Sequence, residues 1–296
     1  MAPPLLSVPN VSEGRDAGLI AALERAFSEG VSLLDRHSDA DHNRTVFTLA
    51  GEAVALREAL ARGAAAAIES IDMGEHEGAH PAIGALDVCP FVWLDAGDRV
   101  AAEAAAAEAA GEIGALGVPV FFYGALATGP DHVERAYFRN GGLTELWLRM
   151  EGGELSPDRG PGLPHRTAGA TLVTARPPLA AFNVELDGAD LDTARSVAAG
   201  LRESGGGLSG VRAIGLPLAS GRTQVSTNVH DPVAVPLGEV VERARALAAS
   251  LGARPVEAEL IGLVPEAALA GYPDDVPIRG LDPARQTIEG RLSALP

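Results

Sequence analysis

The chain contains no lysine: all 23 of its Lys+Arg residues are arginine. That excludes any mechanism built on a lysine Schiff base and the lysine of a phosphate-binding P-loop. Cysteine is nearly absent too. With Cys89 alone no internal disulfide can form, which fits a reducing compartment. Aromatic residues make up only 4%, so the core must be built from alanine, valine and leucine. No uncharged apolar run is long enough to span a bilayer. The opening Met1-Ala2-Pro3-Pro4-Leu5-Leu6 has neither the basic region nor the long apolar core of a signal peptide. A soluble, cytoplasmic protein is the expectation. Positive charge is scarce overall: a net charge of −17 argues against nucleic acid or an anionic membrane as partner. Any anionic ligand must be held by arginine, backbone amides or helix N-termini.

What is present is a repeated order of elements. Apolar alternation, helical periodicity and Gly/Pro breaks predict a strand at 5–9, a helix at 16–27 and a strand at 31–35. A polar turn at 36–42 follows, then a strand at 45–49, a helix after Gly51 to about 70, and a strand at 88–94. This is the split βαβ order of a ferredoxin-like sandwich. A helix at 97–115, a buried strand at 118–123 and a helical stretch at 133–150, broken at Gly141-Gly142, come next. The loop 151–169 is loaded with glycine and proline, as binding loops and linkers are. The same order then returns. It has a strand at 179–186, a helix at 190–203, strands at 211–218 and 223–229, a helix at 237–251 and a strand at 256–263. The expected class is α/β (α+β), with two tandem βαββαβ sandwich subdomains, 1–176 and 177–296, and a ligand groove between them. The Gly205-Gly206-Gly207 triplet reads as a turn, and the tail from 265 has one helix-like end.

Residues 71–91 hold two histidines, two glutamates, two aspartates and the single cysteine, interrupted by three glycines and two prolines. His76-Glu77-Gly78-Ala79-His80 matches the H-E-x-x-H zinc signature, which needs a helix to bring both histidines to one face. Gly74, Gly78 and Pro81 oppose that helix, at about 1 kcal/mol per glycine and about 3 for proline. Without a metal, a histidine here is best used as general acid or base. His80 ranks first because Pro81 restricts its backbone, and His76 second. Asp87 either orients an imidazole, faces a cation or caps a turn. In the polar turn, Asp35, Asp39 and Arg44 either hold amine and carboxylate groups of a small substrate or form a solvated hairpin end. The loop 157–169 offers arginine and unpaired backbone amides to a flat anionic ligand, or is a plain linker.

Longer blocks carry a resemblance. Val8-Pro9-Asn10-Val11-Ser12-Glu13-Gly14-Arg15 is similar to the V-P-N-F-S-E-G-R opening of the glutamate formiminotransferase family. The similarity continues through Leu33-Leu34-Asp35, the block from Asp41 to Thr48, Ile71-Asp72-Met73, His80-Pro81 and Gly84-Ala85-Leu86-Asp87-Val88-Cys89-Pro90-Phe91. Pro157-Asp158, Gly160-Pro161, Gly169-Ala170-Thr171, Ala181-Phe182-Asn183, Gln224-Val225-Ser226-Thr227-Asn228 and Gly262-Leu263-Val264-Pro265 follow in family order. The resemblance implies two subdomains with a folate between them. It implies transfer of a formimino group between N-formimino-L-glutamate and N5 of tetrahydrofolate, without a metal. The family's catalytic histidine falls on His80. Its folate loop falls on Gly160, Pro161, Gly162, Leu163, Pro164, His165, Arg166, Thr167, Ala168 and Gly169. Asn10, Asp35, Asp39, Arg44 and Asp87 are the candidate substrate-binding residues. A homodimer is implied, and the chain ends where a fused cyclodeaminase domain would begin.

Three positions depart from the family. Its H-P-R is His80-Pro81-Ala82, its D-F-G-P is Asp158-Arg159-Gly160-Pro161, and the glycine of its G-A-R is Thr174. Arg159 is a candidate source of the charge missing at Ala82. The departures leave open a formyl donor or folate binding without turnover, and the zinc hydrolase is the remote alternative.

Overall fold

The computed structural model describes residues 4–78, 81–218 and 220–295. Two compact units divide the chain, Met1–Arg176 and Pro177–Pro296. Among the described residues no helix is long and apolar enough to cross a membrane.

In the first unit a broken strand, β1 (Leu5–Ser7) and β2 (Asn10–Val11), runs between β4 (Arg44–Gly51) and β5 (Leu86–Val92), antiparallel to both. Pro9 causes the break, having no N–H for the ladder, while its carbonyl accepts from the amide of Phe47. Helix α1 (Ala17–Ser28) leads into β3 (Ser32–Asp39), which pairs with β4, and α2 (Ala53–Ser70) connects β4 to β5. Asp16 starts α1 by accepting from the amides of Gly18 and Leu19, and Ile20, Leu23 and Phe27 form its buried face.

Helix α3 (Arg99–Ala115) buries a stripe of Ala102, Ala105, Ala106, Ala109 and Ala110. Side chains this small let it lie close to α2 and the sheet. Strand β6 (Val120–Phe122) and helices α4 (Arg135–Arg139) and α5 (Gly142–Glu151) follow, and then β7 (Thr171–Arg176) inserts parallel between β5 and β6. The sheet order is β3-β4-β1/β2-β5-β7-β6. The ferredoxin-like four-strand core is therefore extended by two parallel strands.

Helices α1 to α3 share a core with one sheet face. On the other, Phe138, Leu146 and Met150 of α4 and α5 pack over Val88, Phe121, Tyr123 and Leu172 of the β5–β7–β6 part. The rest of that face mixes apolar Leu6, Val46 and Ala50 with the polar side chains of Asn10, Asp35, Asp39, Arg44 and Thr48. Two expectations change here. The polar turn at 36–42 is mostly strand, since β3 runs to Asp39 and only 40–43 form the turn. Strand β7, absent from the sequence reading, is buried from Thr171 to Ala175.

The second unit has β8 (Ala180–Asp187), α6 (Leu191–Leu201), β9 (Val211–Pro217), β10 (Thr223–Val229), α7 (Leu237–Ala249) and β11 (Arg254–Ile261). Its order β11-β8-β10-β9 is antiparallel throughout, the ferredoxin-like arrangement. Alternation in β8 is clean: Ala180, Phe182, Val184 and Leu186 are buried in the core with α6 and α7. The opposite face carries Asn183, Glu185, Gln224 and Ser226. In the tail, two short helices, α8 (Pro283–Gln286) and α9 (Ile288–Ser293), are pinned through the backbone of Val264.

Candidate active site

Four segments distant in sequence meet at one end of the first sheet: the turn after β2, the β3–β4 turn, the 71–85 loop and the 157–170 loop. The joint between the first three is Asn43, the one described non-glycine residue in the left-handed region, at φ 47°. Its Oδ1 accepts from the amide of Gly14 (2.9 Å), and its Nδ2 donates to the Glu77 carbonyl (3.1 Å). These two backbone partners fix which way the amide points. Nδ2 also faces His76 Nδ1 at 3.3 Å. That ring nitrogen must therefore be the acceptor, which puts the proton of the neutral ring on Nε2. Among the described residues Nε2 is buried and makes no full hydrogen bond. Burial holds the His76 pKa below its ordinary value, against the pull of the Ser12 carbonyl and the Asp87 charge.

The fourth segment clamps the loop from the other side. Met73 donates to the carbonyl of Thr167 (2.7 Å), Ala85 to that of Ala168 (2.9 Å), and Ala170 to that of Ile83 (2.8 Å). His165 and Gly169 exchange both backbone hydrogen bonds, while His165 Nδ1 accepts from the Ala168 amide (3.0 Å). Glycine is required at two places. Gly169 has φ 69° and a Cβ there would lie 2.1 Å from the Ile83 carbonyl; Gly160 has φ 82° and would meet the Val118 carbonyl at 2.5 Å. Gly160, Pro161, Gly162, Leu163 and Arg166 are exposed, His165 and Thr167 half-buried, and Pro164, Ala168 and Gly169 buried. Thus 164–170 brace the neighbouring loop, and 160–163 form its open rim.

His80 lies outside the described residues, as does Ala79. Residues 74–78 are turn and coil rather than helix, so the H-E-x-x-H match lacks the helix its chemistry requires. Among the described residues no three His, Cys, Asp or Glu side chains gather as metal ligands.

The five candidate substrate residues share one sheet face. Register pairs Asp35 with Thr48, Asp39 with Arg44, and Asn10 with both Val46 and Val88. These pairs point away from α1 and α2, whereas Phe47 and Leu49 point into the helix-side core. Asp87 reaches that face through a bulge, because Asn10 opposes Val88 and Val11 opposes Leu86, leaving Asp87 as the extra residue. It is 1% exposed, accepting from the Ile83 amide (2.9 Å) and from the Arg139 guanidinium. Asp39 accepts from the amides of Asp41 and His42 (both 2.9 Å) and contacts His42 Nδ1 at 2.6 Å; these bonds hold its carboxyl below the usual range. Asn10 Nδ2 is tied back to the Val8 carbonyl (2.8 Å). Arg44 is partly buried, and desolvation lowers its pKa although Asp87 and Asp39 lie near.

Sequence reasoning gave no role to Tyr123, Arg135, Arg139 or Arg176. The four-residue spacing of Arg135 and Arg139, one face of a helix, was a signal for that pair, and the family's G-A-R block for Arg176. Arg159 lies with its guanidinium over the Phe122 ring (5.4 Å) and donates to the Asp158 carbonyl (2.7 Å). Thr174, in place of the family's glycine, donates to the Tyr123 carbonyl (2.6 Å).

Residues 5–176 match the family description "Formiminotransferase domain, N-terminal subdomain", and residues 181–272 match "Formiminotransferase domain". A glutamate formimidoyltransferase of Streptococcus pyogenes serotype M1 is 37% identical over 290 residues, covering 96% of this chain and 97% of the relative. Another from Thermoplasma acidophilum is 35% identical over 268 residues, 88% of each chain. The formimidoyltransferase-cyclodeaminase of Mus musculus is 38% identical over 273 residues, which span 88% of this chain and 50% of the mouse protein.

Proposed function

The chain belongs to the formiminotransferase family, and we propose on that premise that it moves the formimino group of N-formimino-L-glutamate to N5 of tetrahydrofolate. Relatives named glutamate formimidoyltransferase support the transferase class and the donor. The observation that carries the reading is the mixed charge of one sheet face, with Asp39 opposite Arg44, Asp35 farther along the same face, and the Asp87–Arg139 pair. A donor with an amidine next to one carboxylate and a second carboxylate at its far end requires both signs.

In this reading N5 attacks the amidine carbon and gives its proton to neutral His80. The imidazolium then protonates the glutamate nitrogen as the C–N bond breaks. The products are 5-formiminotetrahydrofolate and L-glutamate, and the histidine returns to its neutral form. Asp35 balances the amidinium charge that a formamide lacks, which favours formimino over formyl donors. Tetrahydrofolate lies along the exposed rim 160–163. The hydrogen bonds between 165–170 and 73–85 support a coupling of that rim to the catalytic loop.

The test is transfer from N-formimino-L-glutamate to tetrahydrofolate, with N-formyl-L-glutamate in parallel. Activity with the first donor should fall about 10²–10⁴-fold in His80→Ala while folate binding persists. Full activity in that variant removes His80 from the mechanism, and equal rates with both donors remove the role given to Asp35.

A further inference from the structure

Several arginines collect on the same sheet face. Arg135 and Arg139 lie four apart on α4. Arg139 is committed to Asp87. Arg135 instead stands over the ring of Tyr123, 5.7 Å from its centroid. Arg44 feels the repulsion of both. Arg176, which shares the sheet face of Thr174 and Leu172, adds to the same field, and desolvation pushes its guanidinium down to about 10.

Among the described residues neither Arg44 nor Arg135 forms an ion pair, and Arg44 Nε is buried without a partner. The two carboxylates near Arg44 are already occupied. Asp87 holds Arg139 and the Ile83 amide, and Asp39 holds two amides and His42. Arg149 on α5 shows how the chain satisfies an arginine structurally, with Glu154, the Tyr137 carbonyl and the Tyr137 ring around one guanidinium. Among the described residues Arg135 has only a ring. Tyr123 is buried, which raises its pKa against three nearby arginines, so the phenol stays protonated and keeps a donor. Unneutralised, partly desolvated guanidinium groups repel one another, and an anionic ligand removes that cost.

We propose that Arg44, Arg135 and Tyr123 form a carboxylate-binding subsite for a glutamyl group. The subsite rests on the transferase reading only for the identity of its ligand. Two sources share this chemistry, the glutamate portion of the donor and the glutamyl tail of the folate.

The experiment uses the full chain, wild type and Arg135→Met, and titrates L-glutamate and glutarate calorimetrically without turnover. Binding of both should weaken about tenfold or more, as charge-assisted bonds are lost, with the thermal transition unmoved. Arg135→Lys, which keeps the charge without the fork, should recover part of it. In turnover, a raised KM for the formimino donor at nearly constant kcat assigns the subsite to the donor. Loss of discrimination between mono- and polyglutamylated tetrahydrofolate assigns it to the folate tail. Should Arg135→Met fail to fold, Tyr123→Phe reads the same binding. Unchanged glutarate and glutamate binding in an active, folded variant overturns the subsite. A wild type that binds glutarate through Arg135 yet transfers nothing overturns the transferase reading and leaves the subsite standing.

Discussion

Asn43 ties three loops together with one amide, so its replacement separates backbone strain from lost hydrogen bonds. Asn43→Gly keeps the left-handed backbone and loses the bonds to Gly14, Glu77 and His76. At about 0.5–1.5 kcal/mol each, the loss is about 2–4 kcal/mol. Asn43→Ala adds about 1 kcal/mol because alanine carries a Cβ at φ 47°. A domain of this size shifts by about 2–4 °C per kcal/mol. Calorimetry should therefore place glycine about 5–15 °C below wild type, and alanine lower still. Asn43→Asp adds a pH arm. In the wild type the His76 pKa lies below its ordinary 6.5, so the native state binds fewer protons than the unfolded chain there. Stability then falls as pH drops below about 6.5. A carboxylate facing Nδ1 raises that pKa. The raised group stabilises the variant fully below the unfolded value, and this contribution is lost as pH rises through the folded value. The gap between wild type and Asn43→Asp should thus narrow from pH 8 to pH 5.5. If glycine and alanine variants unfold together within 0.5 kcal/mol of wild type, Asn43 is not the joint described.

Two further outcomes follow from burial. Arg139→Met strands the Asp87 carboxylate, 1% exposed, and should cost about 3–5 kcal/mol by urea unfolding; Asp87→Asn in the same chain should return much of it, and an additive double variant refutes the pairing. Burial pushes the Cys89 thiol up to about 12, so a thiol reagent at pH 8 should leave it unmodified in the native protein and label it fully in urea.

The elements that read correctly from sequence are those with one apolar and one polar side, such as α1 behind its Asp16 cap or the alternating β8. Strand β3 did not read past Asp35 because its outer half is polar on both faces. Arg36 pairs with Glu24 of α1, while Asp35, His37 and Asp39 line the site face. Strand β7 is a short apolar run buried on both faces, and such runs carry no periodicity. The candidate loops were legible from their composition. That the loops are stitched to one another was not, since Met73 to Thr167 and Gly14 to Asn43 are contacts no local pattern announces. The Arg139–Asp87 pair, 52 positions apart, was invisible for the same reason.

Strand β7 is the last strand of the first unit to be synthesised, yet it occupies an interior place between β5 and β6. A nascent chain that has not yet emitted residue 171 holds both neighbours with unpaired edges, the condition under which strands capture one another between molecules. A chain short of residue 167 also lacks the bonds to Thr167, Ala168 and Ala170 that brace the neighbouring loop. Closing the sheet and bracing the site therefore draw on neighbouring segments, 165–170 and β7, both at the C-terminal end of the first unit.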